Sequence, residues 1–460
     1  MNDRHLIDLW QQRLSTRRFK VKAGEIVEAR ASTAAEGAAG LRTEYHIDHD
    51  RVVFSSAFRR LGRKTQVHPL AAHDHTHNRL THSVEVACVG RSLGNRVGAM
   101  MAEQNYLPEG ITPFDLGMVV QVACLAHDIG NPPFGHTGED ALRAWFRDAR
   151  NATYLTGLSE AERQDVQTFE GNAHGFRLVS RLEMYANEGG MRLTAAALGA
   201  MIKYPWTVGN TPKPGKFNLY QSELAYFESV AEALGLPQDG QLQRWARHPL
   251  SYLMEAADDV CYAILDLEDA VEMGILEVDE FERLIHPLAS AEAGRVWESP
   301  GSRQKCAMLR GVAVGRCVNA ISEAFIKNLR ALTDGTFSET TGAKDLLAAC
   351  PEEVDRVLSE AKDLARRRVY RHRSKVTTEL AAYPCLASIL DVLVPAVHAL
   401  VTGSGEMDNR QKTALSLLEV PLQREDGLYA AYMAVLDYVG GMTDNASAAL
   451  AREISGVGII

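Results

Sequence analysis

A histidine and an aspartate stand side by side where an apolar run ends. His127 and Asp128 follow the apolar segment 114–126, and a Gly-Asn-Pro-Pro sequence begins at Gly130. Glycine and proline stop helices, so this pattern predicts a helix that ends at the pair and then turns. Imidazole nitrogen and carboxylate oxygen are ordinary ligands of zinc, manganese, iron and cobalt, and carboxylates also suit magnesium. By itself the pair indicates either a metal site or a capped helix end.

A second candidate ligand lies upstream of this pair. His82 lies near the start of a predicted helix over about residues 80–100, whose other positions are largely apolar. Helices in this part of the chain follow from apolar residues that recur every three or four positions. A buried histidine with its hydrogen bonds satisfied is the alternative interpretation. His82 is therefore a candidate metal ligand whose role depends on whether other ligands lie near it in the fold.

Downstream, carboxylates lie inside an otherwise apolar predicted helix over about residues 249–273. A buried charge is unfavourable unless it is paired or binds a metal. At about 100° per residue, Asp258, Tyr262 and Asp266 share one face, and Asp259 points about a quarter-turn away. The alternative is a solvated stripe on an amphipathic helix, because Asp269 continues the polar positions.

The composition is that of a globular protein of enzyme size, with 460 residues, 46% hydrophobic and 23% charged. It excludes a disordered chain, and the net charge of −10 argues against a large non-specific nucleic-acid surface. No apolar stretch reaches about 18 residues, so we expect no membrane contact. The charged N-terminus lacks the apolar core of a secretory signal. Seven cysteines, an odd number, indicate reduced thiols and a cytoplasmic protein.

The helical periodicity continues through most of the chain, and alternation typical of a strand is weak and confined to residues 51–54. Two long loops are expected, at residues 150–167 and 204–219, as lids or partner contacts. A Glu-Ser-Pro-Gly-Ser cluster at residues 298–302 is typical of a linker and predicts a boundary. We therefore expect two regions, residues 1–298 with all the candidate chemistry and residues 299–460.

Three segments together resemble the deoxyguanosine-triphosphate triphosphohydrolase family of HD-domain metal-dependent phosphohydrolases. They are Ser55-Ser-Ala-Phe-Arg-Arg-Leu61 followed by Lys64-Thr-Gln-Val67, the long run from His127 to Glu139, and Tyr252-Leu-Met-Glu-Ala-Ala-Asp-Asp259. The likeness covers residues 40–290 well and the remainder loosely. It implies an all-α fold, with an HD-domain helical core and N-terminal extension in 1–298 and an additional C-terminal helical region in 299–460.

The resemblance implies a site for one divalent metal ion, Mg²⁺, Mn²⁺ or another transition metal. Its ligands would be His82, His127, Asp128 and one carboxylate of the late helix. Matching that helix by its Asp, Tyr and Asp at positions i, i+4 and i+8 selects Asp258 over Asp259, and the helical geometry agrees.

The resemblance also implies that His136 and Glu139 form an acid–base pair. Thr137 would cap a helix that begins at Gly138, with Asp140 completing a capping box, so that His136 lies beside a helix N-terminus. The implied substrate contacts are Arg60, Gln66, Val67, Arg79, Asn131, His174, Tyr262 and Asp266. Two of these depart from the family pattern, because many relatives carry a histidine at the position of Asn131 and a glutamine at that of His174.

The implied reaction is hydrolysis of dGTP, with other dNTPs as further candidates, to a deoxynucleoside and inorganic tripolyphosphate. Alternatives are another HD phosphohydrolase, such as a nucleotide 5′-phosphatase or cyclic-nucleotide phosphodiesterase, and a regulatory protein that binds nucleotide or single-stranded DNA at a weak site. The intact ligand set argues against a vestigial site. The resemblance further implies a homo-oligomer, a tetramer or hexamer, and an allosteric dNTP or single-stranded DNA as a candidate effector.

Two polar segments remain. Residues 73–77, His-Asp-His-Thr-His, are interpreted as a polar loop, with a substrate-side role for His75 by resemblance. The basic run 366–373 contains five arginines and one histidine. It is interpreted as a solvated helix end, a triphosphate contact or a DNA contact, with the substrate slightly favoured over DNA.

Overall fold

Helices make up nearly all of the regular structure in the computed structural model, which describes residues 2–29, 42–65, 77–289, 302–370, 373–403, 407–418 and 422–457. This confirms the all-α prediction. In chain order the α-helices are α1 (Asp3–Arg13), α2 (Glu44–Val53), α3 (Ser56–Arg60), α4 (Arg79–Glu103), α5 (Pro113–Ala126), α6 (His136–Arg147), α7 (Glu160–Gln167), α8 (Gly171–Arg177), α9 (Ala195–Met201), α10 (Leu224–Leu234), α11 (Pro249–Glu272), α12 (Val278–Ala289), α13 (Ser302–Lys327), α14 (Leu329–Asp334), α15 (Phe337–Thr341), α16 (Glu352–Leu364), α17 (Arg373–Thr402), α18 (Asn409–Leu415), α19 (Gly427–Gly441) and α20 (Asp444–Ile454).

One antiparallel hairpin, β1 (Arg18–Lys22) and β2 (Glu25–Ala29), accompanies the helices. Its turn residues Ala23 and Gly24 both have positive φ, as a tight two-residue hairpin requires. The weak alternation over residues 51–54 does not form a strand, because residues 51–53 end the helix α2 and Phe54 is its C-cap. Four alternating residues are too few to outweigh the helical spacing of the buried side chains that precede them.

The loop expected at residues 150–167 is also largely helical, so that prediction was wrong. A 3-10 helix covers Ala149–Leu155, and α7 follows. Ser159 and Glu162 form a reciprocal capping box at the start of α7. This Ser-x-x-Glu pattern is a helix-start signal that is present in the sequence.

The first hydrophobic core is centred on the packing of α4 against α5. The two helices approach so closely that a Cβ on Gly94 would lie 2.7 Å from the Cα of Gly117. Along the chain, the members of this core run from Leu6 to Val369 and include buried side chains of α11 and α13. Because these two helices pack so closely, His82 on α4 lies beside the end of α5.

The second hydrophobic core contains side chains of α6, α17, α19 and α20, and in it α17 packs against the other three helices. Residues beyond 302 therefore contribute to both cores, while the expected boundary at 298/299 falls on residues outside those described. The division into 1–298 and 299–460 stays a prediction. Residues Lys375–Thr402 are long and apolar enough to cross a membrane by length and composition. Leu386, Leu390 and Leu393 of this helix are buried in the second core, as in the core helix of a globular protein.

Candidate active site

Four potential metal ligands meet where α4, α5 and α11 come together. Donor atoms of His82, His127 and Asp128 all lie within 4.8 Å of one another, and no other such group of three occurs among the described residues. Asp258 Oδ1 lies 3.1 Å from His82 Nε2 and 3.5 Å from His127 Nε2. Ligands at about 2.0–2.2 Å from one ion stand about 3–3.5 Å apart. The spacing of these four side chains, called the ligand group below, therefore fits a divalent metal.

The end of α5 aims the histidine at this point. His127 keeps helical backbone angles as the C-cap residue, and its Nδ1 donates a hydrogen bond to the Cys124 carbonyl at 2.6 Å. Because a carbonyl can only accept, the bond leaves Nε2 free to bind a metal. The turn after Asp128 then runs against α8, where a Cβ on Gly130 would lie 2.1 Å from the Gly175 amide nitrogen. Only glycine fits at position 130.

The two adjacent carboxylates of α11 separate as the helical geometry predicts. Asp258 faces the two histidines, whereas Asp259 Oδ1 lies 2.8 Å from Lys362 Nζ on α16. Burial raises the pKa of Asp259, and Lys362 opposes this shift. Asp259 thus has a cationic partner within the protein, and Asp258 is the carboxylate that faces the ligand group.

The electrostatics of the ligand group favour positive charge. Burial raises the pKa of Asp128, but Arg79, whose Nη1 lies 2.6 Å from Oδ2, and the histidines outweigh it and lower the pKa to about 2. Burial lowers the pKa of His127, but Asp128 and Asp258 raise it to about 9. Two ionised carboxylates beside two imidazoles suit Mn²⁺, Zn²⁺, Fe²⁺ or Co²⁺, and the carboxylates also accommodate Mg²⁺.

His136 and Glu139 lie on the first turn of α6. Positive φ at Phe134 and Gly135 reverses the chain so early that α6 begins at His136, and the prediction that Thr137 caps a helix beginning at Gly138 was wrong. The His136 Nδ1 lies 3.1 Å from Glu139 Oε2. The imidazole is 78% exposed and the carboxylate only 2%. One ring nitrogen is therefore held while the other is free to face solvent or a ligand.

Glu139 is fixed on its other side by the backbone of α8. The Gly171 amide donates to Glu139 Oε1 at 2.8 Å, and a Cβ at that glycine would lie 2.9 Å from the same oxygen. Burial raises the pKa of Glu139, but the hydrogen bond with His136 and the nearby Lys216 and Arg143 outweigh burial and lower it to about 2. Glu139 is thus an ionised, immobile acceptor for the His136 ring.

The ligand group lies between two cavities, and Asp128, His136 and Asp258 line both. The nucleoside-side cavity, as we call the first, has a volume of about 180 Å³. Its other walls include Thr65, Arg79, Tyr262, Tyr370, Lys375, Glu379 and Asp444. The lysine cavity, the second, has a volume of about 200 Å³. Its other walls include Asn131, Asn172, Lys203, Tyr204 and Lys216.

The lysine cavity presents two ammonium groups. Lys203 Nζ lies 3.0 Å from Glu255 Oε1, and Lys216 Nζ lies 2.7 Å from Glu170 Oε1. Each carboxylate orients its lysine, and each ammonium carries three hydrogens, so donors remain for a further acceptor. Such a cavity suits the oxygens of a phosphate chain.

Aromatic rings form one wall of the nucleoside-side cavity. The Tyr370 hydroxyl donates to Asp266, and the rings of Tyr262 and Tyr370 lie 5.9 Å apart between centroids. Burial raises the pKa of Asp266 to about 7, and the bond from Tyr370 opposes this shift. Lys375 Nζ lies 4.0 Å from the centroid of the Tyr370 ring. Flat rings with a few polar groups suit a nucleoside.

An HD-domain family model matches residues 79–176, the segment that carries three members of the ligand group and the His136–Glu139 pair. The chain is 45% identical over 424 residues to the deoxyguanosinetriphosphate triphosphohydrolase-like protein of Pseudomonas aeruginosa, covering 90% of this chain and 94% of the relative. The chain belongs to the deoxyguanosinetriphosphate triphosphohydrolase family. It is accordingly an HD-type hydrolase with a metal-dependent site.

Two further relatives of the family extend this likeness. The deoxyguanosinetriphosphate triphosphohydrolase-like protein of Synechocystis is 35% identical over 434 residues, with 91% of this chain and 95% of the relative covered. The deoxyguanosinetriphosphate triphosphohydrolase of Salmonella paratyphi A is 32% identical over 433 residues, with 81% and 82% covered.

The other residues that were predicted to bind substrate in this triphosphohydrolase-family chain do not all lie at the two cavities. Arg60 Nη2 is 3.1 Å from Glu183 Oε1 and lines neither of the two cavities. Asn131 lines the lysine cavity, and its amide nitrogen donates to Asp128 Oδ1 at 2.5 Å. Gln66, Val67 and His75 lie outside the described residues.

His174 is buried behind the loop that follows Asp128 and lines neither of the two cavities. Its Nδ1 lies 3.0 Å from the Gly130 carbonyl, and its ring packs against Phe169. Burial lowers the pKa of His174 to about 4, so the ring is neutral at pH 7 and its Nδ1 donates to the carbonyl. These contacts point to support of the loop, and contact with substrate stays a prediction that they do not favour.

Three arginines of the basic run, at positions 366, 367 and 368, have partners inside the protein. Arg366 binds Asp363, and Arg367 Nε donates to the Asp363 carbonyl at 3.3 Å. Arg368 Nη2 donates to the Ile275 carbonyl at 2.9 Å. Residues 371 and 372 lie outside those described. The surroundings of these three arginines favour the solvated-helix-end interpretation, while Tyr370 is the one described residue of this stretch that lines the nucleoside-side cavity.

Several residues that line the site were not among those predicted from the sequence. Lys203 and Tyr204 belong to a Lys-Tyr-Pro sequence at residues 203–205 that also weakly resembles the family, and this was the signal for a functional role. Lys216, Lys375 and Asp444 lie in segments with no recognisable chemical pattern. Their roles depend on tertiary contacts alone.

Proposed function

We propose that this chain hydrolyses dGTP, with the other dNTPs as further substrates, to a deoxynucleoside and inorganic tripolyphosphate. One observation carries the proposal: the ligand group lies between a cavity walled by lysines and a cavity walled by tyrosines. A nucleotide with its triphosphate beside Lys203 and Lys216 and its nucleoside beside Tyr262 and Tyr370 has its α-phosphorus at the ligand group. That is the phosphorus at which attack by water yields these two products.

A divalent ion held by His82, His127, Asp128 and Asp258 would supply Lewis acidity to a phosphate oxygen and lower the pKa of a water molecule. Water oxygen bonds to the α-phosphorus, and the bond from that phosphorus to the 5′ oxygen breaks. The 5′ oxygen takes a proton and leaves as the hydroxyl of the deoxynucleoside. Arg79, paired with Asp128 and lining the nucleoside-side cavity, directs its remaining hydrogens to phosphate oxygens.

His136 moves the proton in this proposal. Its Nδ1 is held by the ionised Glu139, so Nε2 takes a proton from the attacking water or gives one to the leaving 5′ oxygen. The carboxylate keeps the ring oriented and stabilises its protonated form, as in other His–carboxylate pairs. Both roles require that the turn before α6 stay in place.

Asp266 and Tyr262 would contact the sugar, and Gln66 and Val67 would pack on the same side by resemblance. Asn131 would contact phosphate from the lysine cavity. We further propose a homo-oligomer, a tetramer or hexamer, in the cytoplasm, with an allosteric dNTP or single-stranded DNA as an effector to be tested.

The test is product analysis with purified protein. Each dNTP, and GTP as the 2′-hydroxyl comparison, is incubated with Mg²⁺ or Mn²⁺, and tripolyphosphate is measured by ³¹P NMR. We expect tripolyphosphate and deoxynucleoside in equal amounts from dGTP. Orthophosphate from deoxynucleoside monophosphates would instead indicate a 5′-phosphatase, and turnover of cyclic nucleotides alone would indicate a phosphodiesterase.

The matched control for this assay is His127→Ala, prepared by the same purification. Product formation that persists in this variant comes from a contaminating phosphatase. Absence of turnover in the wild type, together with DNA binding, would instead support a regulatory protein and contradict the proposed reaction.

A further inference from the structure

The turn that precedes His136 is sterically unfavourable and is held by the other end of the chain. Phe134 has φ of 64°, a left-handed conformation that large side chains avoid. Its amide donates to Asp444 Oδ1 at 2.9 Å. Asp444, the first residue of α20, is 8% exposed and lies 310 residues further along the chain.

The second oxygen of the same carboxylate holds the other edge of the cavity. Asp444 Oδ2 accepts from the Thr65 amide at 3.0 Å and from the Thr65 hydroxyl at 2.6 Å. Thr65 directly precedes Gln66, which is predicted to bind the nucleotide sugar. One buried carboxylate therefore links the turn before His136 to the segment on the nucleoside side, and it lines the cavity between them.

Neighbouring contacts confirm that this turn is docked on the C-terminal helices. Lys64 Nζ donates to the Asn131 carbonyl at 2.5 Å and to the Gly440 carbonyl, at the end of α19, at 2.8 Å. The Phe134 side chain packs against the second core, which α17, α19 and α20 build. Of the two residues with positive φ, only Gly135 favours that conformation by itself. The conformation of Phe134 therefore depends on these tertiary contacts.

We propose that Asp444 is a positioning residue for the hydrolysis. By holding the Phe134 amide it keeps the left-handed turn, so that α6 begins at His136 and the free ring nitrogen faces the ligand group. The proposal rests on the proposed function, since it takes His136 as the group that moves the proton. It places an essential support of the active site at the far end of the chain from the HD motifs.

The kinetic test compares Asp444→Ala with Thr443→Ala. Thr443 caps the same helix through its hydroxyl, which accepts from the Ala446 amide at 3.2 Å, and it lines neither of the two cavities. We expect Asp444→Ala to lower kcat by about 10- to 100-fold, because small misplacements of a reacting group have effects of this size. We expect KM within about threefold, unchanged metal content, and Thr443→Ala within about twofold of wild type. A loss in Asp444→Ala no larger than in Thr443→Ala would overturn the proposal.

A double-variant cycle separates positioning from general damage. If Asp444 acts through His136, then Asp444→Ala should change activity by less than about threefold in a His136→Ala background. Losses that multiply in full would overturn the proposal. Asp444→Asn, which keeps one acceptor oxygen, should recover part of kcat, and it replaces the alanine variant if that variant does not fold.

Hydrogen–deuterium exchange tests the same contact without activity. Peptides covering residues 130–140 should exchange faster in Asp444→Ala or Asp444→Asn than in wild type and Thr443→Ala. Unchanged exchange would overturn the proposal. If the wild type hydrolyses no dNTP, the proposed function fails, and the exchange result alone decides whether Asp444 holds the turn.

Discussion

The two sides of the active site are built from different parts of the chain. The metal side uses α4, α5 and α11, and its ligands follow a pattern that is legible in the sequence. The nucleoside side places Tyr262 and Asp266 of α11 against Tyr370, Lys375 and Asp444 from beyond residue 302. The metal side thus depends on short-range geometry within helices, whereas the nucleoside side depends on how the C-terminal helices fold back.

The strongest test of the metal side uses the adjacent carboxylates of α11. We expect Asp258→Asn to abolish both bound metal and hydrolysis, because a neutral amide replaces one of four ligands. Asp259→Asn is the matched control and should retain metal, since Asp259 points away from the ligand group and pairs with Lys362. Elemental analysis and tripolyphosphate release check both variants. Loss of metal in Asp259→Asn with retention in Asp258→Asn would reverse the assignment.

The next effect in size concerns the His136–Glu139 pair. General acid–base catalysis typically contributes about 10²–10⁴-fold, so His136→Ala should lose activity on that scale. Metal content should not change, because the imidazole is not part of the ligand group. A fall of only a few-fold would make His136 a structural residue of the turn. Glu139→Gln should retain the ring contact and lose less than His136→Ala.

A smaller effect is expected on the nucleoside side. Tyr370→Phe removes the hydroxyl that donates to Asp266, and unpairing a buried acceptor typically costs about 1–3 kcal/mol. We expect KM for dGTP to rise about tenfold, with kcat little changed. Tyr383→Phe, at an exposed position of α17, is the matched control. Equal KM values in the two variants would contradict a role for this tyrosine.

The contact between Tyr370 and Asp266 also predicts that the KM for dGTP depends on pH. Burial raises the pKa of Asp266 by more than the hydrogen bond from Tyr370 lowers it, and the resulting pKa is about 7. If the ionised carboxylate accepts the sugar hydroxyl, KM should fall as pH rises through about 7. Tyr370→Phe should move this change to higher pH, because it removes an interaction that stabilises the carboxylate. A pH-independent KM in the wild type would show that Asp266 does not titrate in this range.

The difference between the metal side and the nucleoside side explains which residues could be predicted from the sequence. His127 and Asp128 could be singled out because they stand together at a predicted helix end. The choice of Asp258 came from the resemblance to the family, and the helical period of about 3.6 residues agrees with it. The start of α6 was predicted two residues late, because the Thr137 pattern is local and the turn at Phe134 is held by Asp444. Pairings such as Tyr370 with Asp266 span 104 residues and leave no periodic trace.

The smallest effect is expected in the basic run 366–373, which lies next to Tyr370. Arg368 Nη1 lies 3.7 Å from Glu280 and its Nη2 donates to the Ile275 carbonyl, so it holds the C-terminal segment against α12 and its preceding turn. Steady-state kinetics of Arg368→Ala should therefore stay within about twofold of wild type, and Arg366→Ala is the matched control, since its partner Asp363 is local. The same measurements with a single-stranded oligonucleotide test the alternative. A DNA contact would leave the DNA-free rates unchanged and abolish a DNA-dependent change that weakens steeply with salt. A rise in KM for every dNTP without DNA would instead make these arginines part of the nucleoside side.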